Sequence, residues 1–290
     1  MLTNGGMTRV ALRHVTTYRY SGPASLGPQF IRLRPAAHAR AAIEQYALTI
    51  EPADHRLTWG QDPFGNWVAR MLTFAEPEAL RVVVELVADL QPVNPFDFFV
   101  EGWAARWPFT YPDGLASDLA PFLARIDGGE RFDDFLARFE GGTHDTVQLL
   151  LDLNTALRAA VDYRERLEPN TQAPEETLAI ASGSCRDSSW LLVALLRRLG
   201  IAARFVSGYS IQLANGAEVP ADTVDLHAWA EAFVPGAGWI GLDPTSGLMT
   251  TEGHIPLAAT ARLEAAAPVE GAVYGDVTAA FDFDVSASRA

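Results

Sequence analysis

The only cysteine of this 290-residue chain, Cys185, lies where a loop turns into an apolar helix. In the stretch SGSCRDSSWLLVALLRRLG, Ser184 is followed three residues later by Asp187, a spacing typical of a capping box at a helix start. A thiol in the first turn of a helix lies beside the positive end of the helix dipole, which favours the thiolate. Since a lone cysteine is more often an inert apolar residue, this position indicates a nucleophile only if a base lies nearby.

A predicted hairpin can supply that base. In DLHAWAEAFVPGAGWIGLDPTSG, His227 opens the first strand and Asp243 closes the second. The two side chains share one face of the hairpin only if the turn holds an odd number of residues or a bulge. A three-residue turn at 235–237 pairs Asp243 with Trp229 and places it diagonally across from His227. The carboxylate can then hold one imidazole nitrogen while the other nitrogen faces the thiol.

Each of these two residues alone has an ordinary structural explanation. His227 is typical of a hydrogen-bonded histidine at a strand end, and Asp243 of a turn-initiating residue before a proline. Together with a cysteine at a helix start, they indicate a Cys-His-Asp triad. Arg186 and Asp187 are interpreted as capping and supporting groups of that helix start. No pair among the other histidines has the spacing of metal ligands, so no metal site is expected among them; they are His14, His38, His55, His144 and His254.

The composition and net charge indicate which binding partners and which cellular compartment to expect. The chain has 22 Lys and Arg against 36 Asp and Glu, a net charge of -14, which repels phosphate backbones and anionic lipid. We therefore expect neither nucleic acid nor a membrane as a partner. A single cysteine cannot form an internal disulfide, no signal peptide is visible, and the longest apolar run, WLLVALL, is shorter than the about 20 residues of a membrane span. These features predict a cytoplasmic protein.

The first part of the chain is predicted to be rich in β-strands. From residue 8 to about residue 90, apolar and polar residues alternate in segments such as RVALRHVTTYRYS and LRVVVELVADL, separated by turns rich in Gly and Pro. No helical pattern lies between these segments, so the sheets should be antiparallel. We predict a β-sandwich-like N-terminal domain over residues 1–100, with residues 1–6 as a loose leader.

The second part mixes helices and strands. Helices are predicted at 116–126, at 131–140, after Thr143, and from Cys185, where an apolar surface nearly all round indicates a buried helix. The segments ARFVSGYSIQL, HAWAEAFV and GWIGLD are predicted strands. The fold class is therefore α+β: the N-terminal sandwich, and a second domain over residues 101–275 in which a buried helix packs on an antiparallel sheet.

The end of the chain carries one more strand pattern. Residues 253–276 are interpreted as a loop with a few strand-like residues. Beyond them, apolar and polar residues alternate over 279–287, and a strand with one apolar face must find a sheet. The sheet of the second domain has its own strands, so we predict that 279–287 adds to the edge of the N-terminal sheet.

The motifs resemble a known family. GSCRDSSWLLVALLRRLGIAARFVSGY and DLHAWAEAFVPGAGWIGLDPTSG closely resemble the bacterial transglutaminase-like superfamily of papain-like cysteine enzymes, and HVTTYRYSGPASLGPQFIRLRP with DPFGNWVARMLTF resembles its bacterial N-terminal region. The resemblance implies that Cys185 is the nucleophile, His227 the base and Asp243 the orienting carboxylate. Many members have Gln-Asp-Phe after the cysteine, whereas this chain has Arg-Asp-Ser, which leaves the subfamily and the substrate open.

The resemblance also implies an activity, namely acyl transfer from a peptide or isopeptide amide in a peptide or protein substrate. The backbone N–H of Cys185 is one donor to the oxyanion, and Gln172 and Tyr163 are candidates for a second. The implied reaction requires no metal or organic cofactor. Three functions compete: a hydrolytic cysteine peptidase or amidohydrolase first, a transglutaminase with an amine acceptor second, and a non-catalytic binding or scaffold protein third. The oligomeric state stays open.

Overall fold

Six strands at the beginning of the chain form a β-sandwich in the computed structural model, which describes residues 8–166, 168, 170–214 and 221–290. The predicted leader at 1–6 lies outside the described residues. The strands are β1 (Arg9–Tyr20), β2 (Ser25–Ile31), β3 (Ala42–Glu51), β4 (Arg56–Gln61), β5 (Trp67–Leu72) and β6 (Ala79–Asp89). Both sheets bury one face because their side chains alternate, so residues such as Leu12, Met71 and Val84 meet in one core.

Short elements and helices follow the sandwich. The short strands are β7 (Arg106–Trp107), β8 (His144–Asp145), β9 (Asp162–Tyr163) and β10 (Ser182–Gly183). The helices are α1 (Asp113–Asp118), α2 (Ala120–Leu123), α3 (Glu130–Ala137), α4 (Thr146–Ala160), α5 (Pro174–Ile180) and α6 (Cys185–Arg198), with 3-10 turns at Gly102–Ala104 and Leu263–Ala266. The single helix predicted at 116–126 is two short helices, because Pro121 favours a new helix start.

Helix α6 packs on a five-stranded antiparallel sheet. Its strands are β11 (Ala203–Gln212), β12 (Thr223–Val234), β13 (Gly238–Asp243), β14 (Leu248–Met249) and β15 (His254–Thr260), in the order β14-β13-β12-β11-β15. Leu191, Leu192 and Leu195 of α6 are fully buried, and Ala228 and Ala230 of β12 share their core. The small alanine side chains let the helix approach the sheet closely. The predicted α+β fold class, with a buried helix on an antiparallel sheet, is confirmed.

The segment at 253–276 differs from the loop that the sequence indicates. It forms β15 and then β16 (Val269–Tyr274), which pairs with β2 of the sandwich rather than with the domain assigned to residues 101–275. The pattern HIPLAAT is apolar almost throughout because both faces of β15 are covered, so it lacks the alternation of a half-buried strand. Pro256 is tolerated because β15 is the edge strand of its sheet.

The last strand, β17 (Ala279–Arg289), also returns to the sandwich. It pairs antiparallel with β1, from Val10 opposite Arg289 to Tyr20 opposite Ala279, and it contains the segment 279–287. The strand orders are β17-β1-β6-β3 and β16-β2-β5-β4. Each sheet therefore has a strand from the C-terminal part of the chain at one edge, and β3 and β4 are the edges on the other side.

The sandwich and the second sheet share one core. Tyr209 and Ile255 of the second sheet are fully buried in the same cluster as the sandwich side chains. The Tyr209 hydroxyl lies 2.9 Å from Nδ1 of His14, and Thr16 Oγ1 lies 2.8 Å from its Nε2. Burial lowers the pKa of His14 to about 4, with the charge of Asp284 opposing it, so this ring is neutral. Among the described residues, no helix is both long and apolar enough to cross a membrane.

Candidate active site

Cys185 is the first residue of α6, and a buried carboxylate fixes the backbone around it. Asp187 is fully buried and accepts hydrogen bonds from the backbone N–H of Ser184 at 2.7 Å and of Gln172 at 2.8 Å. The guanidinium of Arg166 donates to the same carboxylate at 2.7 Å. Burial works to raise the pKa of Asp187, but the hydrogen bonds from Arg166 and from the backbone lower it overall. The helix start is thereby anchored to the preceding loop.

Arg186 holds the same loop from the other side of Cys185. Its guanidinium donates to the carbonyl oxygens of Glu168 at 2.7 Å and of Arg166 at 3.2 Å. Gly183 is required by space, because a Cβ there would lie 2.8 Å from the Cβ of Asp187. Cys185 itself is half-buried. The Arg-Asp pair that follows the cysteine therefore positions the thiol and leaves it accessible.

The hairpin of β12 and β13 brings His227 and Asp243 together. Val234 pairs with Gly238 and Ala230 with Leu242, so the turn has three residues, as the parity argument requires. The Nε2 atom of His227 lies 3.2 Å from Oδ2 of Asp243. The other ring nitrogen, Nδ1, is therefore the one that can interact with the thiol.

The charges of these two side chains support each other. Burial works to lower the pKa of His227, but hydrogen bonds with Asp243 and Cys185, together with their charges, outweigh it and raise the pKa to about 10. Burial works to raise the pKa of Asp243, which is 5% exposed, but hydrogen bonds and charges from His227 and His254 hold it well below its usual range. The site therefore favours an imidazolium beside a carboxylate near neutral pH.

The carboxylate of Asp243 is oriented by the turn that follows it. The backbone N–H of Thr245 donates to Oδ1 at 2.8 Å, and the hydroxyl of Ser246 donates to Oδ2 at 3.0 Å. Asn154 on α4, which is fully buried, donates to the carbonyl oxygens of Asp243 at 3.3 Å and of Leu248 at 3.0 Å. The end of β13 is thus fixed by both a turn and a helix.

The structure also places His254 at this site, although its position in the sequence indicates no role there. Its Nδ1 accepts from the backbone N–H of Thr251 at 3.2 Å, so in the neutral ring Nε2 carries the proton, and Nε2 lies 3.6 Å from Oδ2 of Asp243. Its ring packs edge-on against Trp229 at 5.3 Å and lies 6.1 Å from the ring of His227. His254 opens β15, the segment interpreted as a loop, so no local pattern placed it beside Asp243.

Three atoms in this cluster have the geometry of a metal site. One ligand atom each from His227, Asp243 and His254 lies within 4.8 Å of the others. A metal ion binds the neutral imidazole, whereas the raised pKa of His227 keeps its ring protonated. A metal ion bound here would therefore have to displace a proton from His227.

The two candidates for a second oxyanion donor both lie beside the helix start. Gln172 is 6% exposed, and its Oε1 accepts from the hydroxyl of Thr177 at 3.1 Å, so its amide NH2 is the part of the side chain that can donate to an oxyanion. Tyr163 on β9 pairs with Gly183 on β10 and is half-exposed. Burial and then the charge of Cys185 raise the pKa of Tyr163, so its hydroxyl stays protonated at neutral pH.

Comparison with curated proteins finds similarity over nearly the whole chain in mycobacteria. An uncharacterized protein of Mycobacterium bovis is 26% identical over 282 residues, which span 93% of this chain and 88% of that protein. An uncharacterized protein of Mycobacterium leprae is 25% identical over 281 residues, 96% of this chain and 97% of that protein. A protein-glutamine gamma-glutamyltransferase of Pseudomonas aeruginosa is 38% identical over 66 residues, 22% of this chain and 10% of that protein.

Structural and family comparisons agree on the architecture. The crystal structure of a proposed cysteine protease from Cytophaga hutchinsonii matches 98% of this chain and 91% of that chain with a TM-score of 0.72 and 19% identity, which concerns the fold alone. Residues 10–89 match the bacterial transglutaminase-like N-terminal region, and residues 133–244 match the transglutaminase-like superfamily. The chain belongs to the transglutaminase-like superfamily and carries the bacterial N-terminal region of that family ahead of its core.

Proposed function

We propose that this protein is a cysteine-dependent acyltransferase that acts on peptide or isopeptide amides and uses water as the acyl acceptor. One observation carries the proposal: His227 lies between the thiol at the start of α6 and the buried carboxylate of Asp243, with its pKa raised by both. The name of the Cytophaga hutchinsonii protein, a proposed cysteine protease, agrees with a hydrolytic reaction.

The proposed reaction begins with the thiolate of Cys185. The thiolate attacks the carbonyl carbon of the amide, and the resulting oxyanion accepts the backbone N–H of Cys185 and an amide N–H of Gln172. The C–N bond then breaks as Nδ1 of His227 gives its proton to the leaving amine. His227, now neutral, takes a proton from a water molecule that attacks the thioester, and the acid leaves as the thiolate reforms.

Asp243 and His254 are positioning residues in this scheme. Asp243 holds Nε2 of His227, which directs Nδ1 to the sulfur and stabilises the imidazolium. His254 faces the carboxylate of Asp243 from a third strand, with its Nε2 3.6 Å from Oδ2, and its proposed contribution is electrostatic. Neither side chain exchanges a proton with the substrate.

An amine acceptor is the alternative, and a feature near the thiol favours it. Burial and then the charge of Glu165 raise the pKa of Asp225, and the charges of Cys185, Glu165 and Asp225 all act on Tyr163. These carboxylates attract a cation such as a lysine ammonium. The Pseudomonas aeruginosa relative, matched over 66 residues, is named as a protein-glutamine gamma-glutamyltransferase. A non-catalytic binding or scaffold function remains the third alternative.

The decisive experiment first measures how fast the thiol of Cys185 is alkylated. Iodoacetamide is added at about pH 6.5, where an ordinary thiol with a pKa of about 8.5 is mostly protonated, and the intact mass is followed over time. Rapid single alkylation that slows sharply in His227→Ala supports the nucleophile, and an ordinary rate in both proteins contradicts it.

A panel of peptide amides then separates the acceptors. Products are separated by mass with and without an added primary amine, and Cys185→Ser serves as the control. A free acid in the presence of the amine supports hydrolysis, whereas an amide of the added amine supports transglutamination. A reactive thiol with no product in either case favours the binding or scaffold function.

The compartment and the partners are proposed on composition alone. The net charge of -14 and the single cysteine favour a cytoplasmic protein that binds neither nucleic acid nor membrane. The partner proposed here is the peptide or protein substrate.

A further inference from the structure

A groove of about 700 Å³ opens along one edge of the β-sandwich. Its walls come from β3 and β4, which are the outermost strands of the two sheets on that side, and from the segment 34–41. The opposite edges of the two sheets end in β17 and β16. The volume of the groove is within the range of sites that hold small ligands.

The basic side chain that lines this groove is that of Arg34. Its guanidinium carbon lies 4.6 Å from the ring centre of Trp67, 5.4 Å from that of Trp59 and 5.6 Å from that of Tyr46. These distances are typical of cation–π contacts. Because aromatic rings surround the planar group, the N–H groups along its rim are held in place and remain free to donate.

The groove carries an uncompensated positive charge. Within the described part of the chain, the contacts of Arg34 are these three rings, and no carboxylate pairs with it. The acidic side chain of the groove, Glu44, already accepts from Nε of Arg9 at 2.9 Å. A guanidinium held in this way fits a carboxylate, which it can bind with two parallel hydrogen bonds.

The strands beside the groove favour an extended chain as the bearer of that carboxylate. In the described sheets, β3 pairs only with β6 and β4 only with β5. Each therefore offers a row of backbone N–H and C=O groups toward the groove side of the sandwich, to which an extended peptide can pair. The apolar side chains of Ile43, Leu48 and Leu57 line the groove and can contact alternate residues of such a peptide.

We propose that this groove binds an extended acidic peptide segment, with an Asp or Glu carboxylate on Arg34. In naming the substrate class, the proposal rests on the function proposed above. A neutral sugar fits less well, because the guanidinium already covers the rings on which a sugar would stack.

The groove is connected to the candidate active site by one segment of chain. Residues Arg34, Ala37 and Ala39 of the segment 34–41 line the groove, while His38 and Arg40 of the same segment line a second cavity of about 190 Å³. That second cavity is also lined by His254 and Trp229, the side chains that pack beside Asp243. The segment 34–41 therefore lies between the groove and the cavity that His254 and Trp229 line.

The test measures binding to the Cys185→Ser protein by titration calorimetry, so that nothing is consumed. The probes are an acetylated and amidated Thr-Val-Glu-Val-Thr peptide, the same peptide with Gln in place of Glu, and acetate alone. We expect the Glu peptide to bind at least about tenfold more tightly than the Gln peptide, since a charge-assisted pair is lost in the latter. Acetate alone should bind more weakly than the Glu peptide.

Variants of two arginines complete the test. Arg34→Gln should remove the preference for Glu, and Arg34→Lys should keep part of it. Arg70→Gln, at an exposed arginine of the neighbouring strand β5, should leave the preference unchanged. The preference is a ratio within each variant, so partial loss of folded protein does not change it.

Several results would overturn the proposal. They are equal affinity for the two peptides, no binding of either peptide, an unchanged preference in Arg34→Gln, or acetate binding that equals the peptide. Equal binding of a neutral glucan oligosaccharide to wild type and Arg34→Gln, without peptide binding, would assign the groove to sugars instead. Alkylation of Cys185 in the unmodified protein reports separately on the proposed function, so the two failures are distinguishable.

Discussion

The Nε2 atom of His254 lies 3.6 Å from Oδ2 of Asp243, and the same oxygen lies 3.2 Å from Nε2 of His227. One carboxylate oxygen thus faces two imidazole rings from two different strands. The hydroxyl of Ser246 is its third neighbour at 3.0 Å. This shared oxygen makes the orientation of His227 depend on a residue that does not contact the thiol.

Replacing His254 by Ala should slow acyl transfer by about tenfold, since a positioning contact to the orienting carboxylate is lost. The pH dependence of Cys185 alkylation should shift toward alkaline pH, because the imidazolium is held less firmly. His254→Gln retains an N–H donor, so it should restore part of the acyl-transfer rate and part of the normal pH dependence of alkylation. His55→Ala, at a histidine that contacts the carbonyl of Pro52 in the sandwich, is the matched control. Normal alkylation and transfer in His254→Ala would contradict the positioning role.

The raised pKa of His227 predicts a specific dependence of stability on pH. The folded pKa of about 10 exceeds the ordinary histidine value of 6.5, so the folded state binds this proton more tightly than the unfolded state. The resulting stabilisation is complete below about pH 6.5 and is lost as the pH rises toward about 10. Urea unfolding across this range should show a loss on the order of a few kcal/mol.

His227→Asn is the control for that measurement. It cannot bind the proton, so its free energy of unfolding should fall much less over the same pH range. Parallel curves for the two proteins would show that other groups cause the dependence. Cys185→Ser should give an intermediate result, because one of the partners that raise the pKa is removed.

Replacing Asp187 by Asn should destabilise the protein by about 1–3 kcal/mol, because the buried backbone N–H groups of Ser184 and Gln172 lose a charged acceptor. Alkylation of Cys185 should also slow, since the helix start loses its anchor. Asp133→Asn breaks the exposed pair with Arg198 and should cost at most about 1 kcal/mol. Denaturant unfolding measures both variants, and equal effects would contradict the role assigned to Asp187.

Deleting residues 277–290 should lower the melting temperature of the whole protein by several degrees and remove its single cooperative transition. The reason is that β17 pairs with β1 from Val10 to Tyr20, and the guanidinium of Arg289 donates to the carboxylate of Asp222, just before β12, at 3.0 Å. Calorimetry of the truncated protein is the measurement. Arg289→Gln, which keeps the strand, should melt close to the intact protein. A truncated protein that also does so would show that β17 is dispensable.

The sequence predicted those features whose geometry depends on residues close together in the chain. The helix start at Cys185 follows from capping and apolar spacing, and the shared face of His227 and Asp243 follows from the parity of a three-residue turn. The position of His254 depends on β15 pairing with β11, which is a long-range choice. The apolar run of β15 has no alternation because both of its faces are covered, so its sequence carried no strand signal.

The two strands at the end of the chain also have a consequence for synthesis. Because β16 and β17 follow the candidate active-site residues in the sequence, neither sheet of the sandwich can be completed until Cys185, His227, Asp243 and His254 have all been made. Until then β1 and β2 present unpaired edges on the ribosome, where exposed strand edges invite pairing with other chains. The strands of the sandwich are therefore the first to be synthesised, but the sandwich is the last part of the chain to complete its fold.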